Sequence, residues 1–405
     1  MVLQAPTRPK SRTVVGLVAF SLFVDYFLYG MVMPLMPHSP AKVGEEQLGL
    51  LYGGYAISVL VVTPLFGYLG DRIGGRPSMI CGMILAGCAT ALFALAPNFS
   101  LSLVARLCQG AASAAMWTGG LALIAEHYVE KRVEMMGYTF TGSTAGSALG
   151  PLAGGLLYHV GGYQLPFLFT GVLVASAACL LVLLLPGGRT GRKTNLDLRA
   201  LLLNKSVAVP ALAVALAAFA WGVIEPLLPV RLSRYGATPR GVGLMFTGAA
   251  ITYGLSAPLV GRVSARWPFK RVIILGTIAM ASTLPFLSAF KKVSLACLVL
   301  CLVSISYAFL LNPASAELGD AVDRAGMSCY SAVYALYNIV YSVGMLATTA
   351  LTSTAVRFLG FWGVMLGVSA VLILSIPLLM LADSPPPAIS EASVAQQHEQ
   401  GRNAS

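Results

Sequence analysis

Three ionisable residues stand well inside long apolar runs of this sequence: Asp25 in VAFSLFVDYFLYG, Arg106 in LSLVARLCQGAAS and Glu225 in FAWGVIEPLLP. A charge in bilayer hydrocarbon is costly, so such residues are scarce there and are usually functional. An apolar setting disfavours the charged form of a carboxyl group. A carboxylate that holds either a proton or a cationic amine, but never both, couples the two flows by competition. Tyr26, Tyr29, Trp117 and Trp221 have faces that could cradle an ammonium group, although plain packing accounts for the same rings. Asp25 lies about 11 residues into its run, ~17 Å at 1.5 Å per residue, so near mid-depth. Glu225 is about 18 residues into its run, in the outer half, and Arg106 sits at a comparable depth. A structural Arg106–Glu225 ion pair is the alternative reading of those two.

A second polar feature is GYLGDRIGGRP, from Gly67 to Pro77, with an acid, two arginines and four glycines in eleven residues. It follows an apolar run and reads as a tight turn, where Gly67 and Gly74 let two helices end and begin close together. Arg72 and Arg76 suit a loop facing anionic lipid. Asp71 could cap the N-terminus of a neighbouring helix. Contacts of that kind form in one rocking state and break in the other; a solvated hairpin is the bland alternative. Glu317, Asp320 and Asp323 end a later run, where they either pair with Arg262, Arg266 or the Asp71 loop as a gate or form a solvated helix end.

No nucleophile–base motif, phosphate loop or metal-ligand spacing is present, so no catalytic residue, metal or cofactor is expected. Cys81, Cys88, Cys108, Cys179, Cys297, Cys301 and Cys329 lie in or beside apolar runs and read as small packing residues. His38, His127, His159 and His398 fall near run ends or in tails, and none reads as a proton relay.

The elements that must position these residues are membrane spans. Of 405 residues 57% are hydrophobic and 10% charged, against about 25% charged in soluble domains. Mean hydropathy is +0.80, and the apolar runs have the ~20-residue length of a bilayer crossing. Cutting at Gly, Pro and charge clusters gives twelve: 14–36, 47–70, 77–96, 101–127, 134–160, 163–186, 207–232, 242–264, 271–290, 294–320, 329–355 and 360–382. With the N-terminus inside, eighteen of the 26 Lys and Arg fall on the inner side, seven on the outer, and Arg106 within a span. That asymmetry places both termini in the cytoplasm. It also accounts for the net charge of +11 without nucleic acid, since no basic run is interleaved with aromatics. The first run carries Asp25 and no small-residue cleavage site, so a cleaved signal peptide is not expected.

The basic stretch GGRTGRKTNLDLRALLLNKS divides the chain into a bundle at 1–186, a linker at 187–206, a second bundle at 207–382 and a polar tail at 383–405 that reads as disordered. A repeat supports the division. GMVMPLMP at 30–37 matches GVIEPLLP at 222–229, and TPLFGYLGDRIGGRP at 63–77 matches APLVGRVSARWPFKR at 257–271. Ala265 stands where the first copy has Asp71. Duplicated six-helix halves around a midplane site are a secondary-transporter architecture: all-α, integral to the membrane, twelve helices in two pseudo-symmetric bundles.

The pattern Gly67-x-Leu69-x-Asp71-Arg72-x-Gly74-x-Arg76 resembles the signature loop of the major facilitator superfamily. LVARLCQG, with Arg106, resembles that superfamily's fourth-span motif. Gly137, Gly146, Gly150, Pro151, Gly154 and Gly155 match the fifth-span motif of its exporters and antiporters. Small residues there allow close helix approach, and Pro151 bends the helix locally. FVDYFLYGMVMPLMP, GVIEPLLP, VDRAGMSCYSAVYALYN and ADSPPP resemble the vesicular amine transporter family. The resemblance implies exchange of protons for organic amines, with Asp25 binding the amine, Glu225 in the binding cavity and Arg106 beside it. It departs where a family lysine is replaced by Tyr55, and family acids by Leu311 beside Asn312 and by Asn338. Tyr55, Asn312 and Asn338 are therefore expected to line the cavity. Only HSPAKVGEEQ joins the first two spans, which points to a bacterial relative in the plasma membrane. The implied function is a proton-coupled exporter of organic amines or cationic drugs, working as a monomer in lipid. The alternative is an exporter of a secondary metabolite or siderophore anchored by Arg106.

Overall fold

The computed structural model describes residues 11–36, 39–40, 45–185, 205–233, 235, 239–289, 293–324 and 329–380. Nearly all of the expected linker and the whole 383–405 tail lie outside them. Regular structure among the described residues is helical. The first half holds α1 (Ser11–Leu35), α2 (Glu45–Ile73), α3 (Gly75–Leu95), α4 (Phe99–His127), α5 (Arg132–Gly161) and α6 (Gln164–Leu184). The second holds α7 (Lys205–Ser233), α8 (Pro239–Arg266), α9 (Phe269–Thr283), a short α10 (Phe286–Ala289), α11 (Val293–Arg324) and α12 (Tyr330–Met380). α12 makes two passes, reversing at Gly360, whose φ of 66° is left-handed and costs glycine little. The side on which α1 begins and α12 ends is called the terminal face below.

Among the described residues eleven segments are long and apolar enough to cross a membrane. α5 is the exception to the twelve apolar runs expected. It has 30 residues, but Gly, Ser and Thr dilute its apolar content. Its position explains this, because α5 packs along α1 on one side and α8 on the other. Gly142, Gly146, Gly150 and Gly154, four residues apart, lie on one face of a helix. They meet Ala19, Phe23, Phe27 and Met31 of α1, spaced likewise. A methyl group at the first three would strike the carbonyl oxygens of Ala19, Phe23 and Phe27, and at Gly154 it would come within 2.8 Å of the Met31 side chain. The two helices thus run parallel with their backbones in contact, the close approach that small residues permit. The expected motif divides: Gly137 faces Ala257 of α8 and Asn312 of α11 instead, Gly155 meets nothing within 4 Å, and Pro151 covers Gly30 of α1.

The halves meet where α2 packs on α12, α4 on α12, and α5 on α8 and α11. The duplicated glycines mark equivalent seams. Gly67 abuts Ala335 of α12, while Gly261 abuts Glu134 of α5. The turn in the GYLGDRIGGRP stretch is reduced to a single residue. The first seven residues of the stretch complete α2, Gly74 alone breaks the helix with φ 90°, and α3 starts at Gly75. Gly67 and Gly70 serve close contact with α12, where Gly70 lies against Ser331.

Candidate functional site

Asp25 is buried at mid-length in α1, 1% exposed. Two residues one turn apart on α4 hold one of its oxygens: Ser113 Oγ donates to Oδ2 at 2.7 Å and Trp117 Nε1 at 3.2 Å. Tyr55 of α2 extends the chain by donating its hydroxyl to Ser113 Oγ at 3.0 Å. Oδ1 is buried and has no hydrogen-bond partner among the described residues. Tyr26, Tyr29 and Tyr55 are partly exposed, while the carboxylate between them is buried.

Arg106 is fully buried on α4. Its guanidinium donates to Gln109 Oε1 at 2.6 Å and lies over the rings of Tyr29 and Tyr55, 4.9 and 5.3 Å from their centroids. One guanidinium nitrogen is thus held by an amide, and the cation rests over two π faces. The backbone at Glu225 belongs to α7, but its side chain lies outside the described residues, so the Arg106–Glu225 pairing does too.

A file of rings crosses from one half to the other. Tyr55, Tyr29, Tyr26 and Trp117 follow one another at centroid distances of 4.8, 6.0 and 5.5 Å. Trp117 and Phe140 stack near-parallel on Tyr337 of α12, at 6.4 and 6.0 Å. Tyr337 leads to Tyr341, whose hydroxyl is 3.1 Å from that of Tyr307. Trp221 packs on Tyr307 at 5.0 Å, so it belongs to the second half's cluster and not to the shell of Asp25. Asn312 is bonded by the Tyr253 hydroxyl. Asn338 donates to Thr118 of α4 at 3.1 Å, tying the halves together.

Below this file the terminal face is closed by two contacts. Asp71 accepts from the backbone N–H groups of Ser331 at 2.8 Å and Ala332 at 3.2 Å, the first turn of α12. At the second seam Arg132, which begins α5, binds Asp320 and Asp323 of α11, the latter at 2.9 Å, and the carbonyl of Ala125 at the end of α4. Glu317 pairs with Arg324. The acids at the end of α11 therefore find Arg132 and Arg324, not Arg262 or Arg266. Arg76 does not face lipid freely but donates to Val182 O in the last turn of α6 at 2.8 Å. Arg72 lies 4.3 Å from the centroid of the Tyr68 ring.

Sequence reasoning missed Ser113, Gln109 and Arg132. The first two are uncharged and common in spans. Arg132 sits in HYVEKRVE, which reads as a solvated turn. The available signal was that a basic residue at a helix start opposes the helix dipole and needs another reason to be there.

Comparison with known proteins agrees with this architecture. The Major Facilitator Superfamily model matches residues 18–209 and again 210–402. A probable vesicular acetylcholine transporter-B of Danio rerio is 28% identical over 403 residues, covering 94% of this chain and 80% of its own length. The human vesicular acetylcholine transporter is 28% identical over 358 residues, 86% of this chain and 67% of its own. The human MFS-type transporter SLC18B1 is 25% identical over 355 residues, 82% and 78% respectively. The crystal structure of the human organic anion transporter MFSD10 (TETRAN) superposes with a TM-score of 0.75 at 19% identity, over 92% of this chain and 100% of that one, a likeness of fold. This multi-pass membrane protein is thus a transporter and not an enzyme, and the chain belongs to the Major Facilitator Superfamily, with the vesicular acetylcholine transporters among its relatives.

Proposed function

We propose that the protein exchanges protons for small organic amines or cationic drugs by alternating access, exporting them across a plasma membrane with both chain termini in the cytoplasm. The observation that carries this reading is Asp25: a membrane-buried carboxylate with one oxygen anchored by Ser113 and Trp117 and the other without a partner among the described residues. Such a group is stable when protonated or when paired with a cation, and costly when bare. Proton and amine then compete for one site, which is antiport. The relatives' names, vesicular acetylcholine transporters, support a small organic cation as cargo. In the anionic-substrate alternative the anchor would be Arg106, which Gln109 and the rings of Tyr29 and Tyr55 hold in place. Glu225 is a second candidate for proton coupling on its sequence position.

The test is pH-gradient-driven uptake of a panel of labelled amines into proteoliposomes acidified inside. Wild type should accumulate amines. Asp25→Asn, kept folded by its near-equal volume, should lose amine binding and accumulation, by about 100-fold or more if the charge pairing is the main anchor. Unchanged affinity in that variant, or accumulation of anions only, would overturn the proposal.

A further inference from the structure

We infer that the Asp25 site selects amines carrying at least one N–H over quaternary ammonium ions. The inference rests on the amine reading above and names the substrate class of that same site.

The two carboxylate oxygens of Asp25 are in unequal states. Oδ2 is already supplied by the Ser113 hydroxyl and the Trp117 indole. Oδ1 is buried and lacks a donor among the described residues. A buried acceptor left without a donor bears its desolvation cost in full. A primary, secondary or tertiary ammonium brings an N–H to Oδ1 and forms a charge-assisted hydrogen bond. A quaternary nitrogen has only methyl C–H groups to offer. It holds its charge farther from the oxygen and leaves Oδ1 without a conventional donor.

Quaternary ions are held by cages of open aromatic faces. The rings around Asp25 are committed elsewhere. Tyr29 and Tyr55 pack on each other and receive the Arg106 guanidinium. Trp117 lies near-parallel to Phe140 at 20° and to Tyr337 at 12°, and turns its N–H edge, not its face, to the carboxylate. Tyr26 meets that same indole at 60°. The shell presents edges and hydroxyls, suited to a compact ammonium head whose selectivity comes from hydrogen bonding.

The experiment measures binding to the full-length protein in nanodiscs at neutral pH, with ligands that are all cations there. The series is phenethylamine, its N-methyl and N,N-dimethyl derivatives, and N,N,N-trimethylphenethylammonium. N,N-Diethylphenethylamine, bulkier than the quaternary member yet bearing one N–H, separates bulk from donor count. The first three should agree within about threefold, and the quaternary ion should bind about 10- to 100-fold more weakly than the dimethyl amine. The diethyl amine should bind more tightly than the quaternary ion. A quaternary ion that binds as well as the dimethyl amine overturns the inference while leaving the amine reading intact, and so does a steady loss with each added carbon. If no member of the series binds, the amine reading fails and the inference fails with it.

Discussion

The seam between α2 and α12 and the seam between α5 and its partners α8 and α11 occupy equivalent places in a duplicated frame, yet they close by opposite chemistry. At the first, a carboxylate on α2 caps a helix: Asp71 takes two N–H groups from the start of α12, where the helix dipole favours an anion. At the second, the matching position is Ala265, and a cation, Arg132, reaches across to Asp320 and Asp323. Contacts inside each half behave differently. Arg76 donates to Val182 O of α6, and its repeat counterpart Lys270 donates to Met380 O at the end of α12. The basic cap on the final helix has been kept in both copies, while the acid facing the other half survives in one. Duplication thus preserved what builds a six-helix unit and let the contacts between units diverge. Those are the contacts that must form and break in transport.

The difference can be broken one seam at a time, with Cys329 as the reporter. This free thiol precedes α12 and is 2% exposed, beside Tyr330, whose hydroxyl reaches Asp323 and whose ring lies 5.7 Å from Arg132. In a variant retaining only this cysteine, its labelling by an impermeant maleimide from the terminal face reports opening. Asp71→Ala should have the largest effect, about tenfold faster labelling, because it removes two charge-assisted hydrogen bonds from a buried cap. Amine affinity at Asp25 should change little while turnover slows. Unaltered labelling and turnover would make the loop a mere connector.

Arg132→Ala should act in the same direction but less, about threefold. The side chain itself is 1% exposed, yet those of Asp320 and Asp323 are 41% and 34% exposed, so water takes over their charges once the arginine is gone. The same exposure makes the second seam the salt-sensitive one. Raising salt from about 0.05 to 0.5 M should speed Cys329 labelling in wild type and leave Arg132→Ala unaffected. An equal salt response in both proteins would show that the second seam is not held by its charges.

How far these features were legible in the sequence depended on rarity. Asp25 stood out because an acid in an apolar run is uncommon, and the structure surrounds it with Ser113 and Trp117. Ser113 did not stand out, since a serine in a span is ordinary until something is seen to need its hydroxyl. The duplication was visible as matching segments and the fold followed from it. The glycine motif was visible as well, but its division was not. Gly146, Gly150 and Gly154 share a stripe with Gly142, while Gly137 and Gly155 point elsewhere, and only the four-residue spacing separates the groups. Asp320 and Asp323 could not be paired from sequence because Arg132 lies 188 and 191 positions away. Many basic residues near span ends offered themselves equally.

The smallest effect is expected from restoring the lost symmetry. Ala265→Asp would put an acid on α8 where α2 has Asp71. The helix end it would face is the start of α5. There the residue before Arg132, Lys131, provides no side-chain cap, so the first-turn N–H groups and the Lys131 ammonium attract the new carboxylate. Glu134 opposes it: it lies in the same first turn, and Gly261, one helical turn from position 265, already packs within 3.0 Å of the Glu134 Cβ once given a methyl group. With Arg132 already paired to Asp320 and Asp323, Lys131 and the helix N-terminus stand against Glu134, leaving a net gain of about 0.3–1 kcal/mol for the closed seam. Cys329 labelling should then slow by about two- to fivefold, with turnover slowing in parallel as the closed face opens less often. Adding Glu134→Gln should enlarge the effect. Faster labelling in Ala265→Asp would mean that repulsion from Glu134 prevails, so that the second seam has diverged too far to accept the first seam's chemistry.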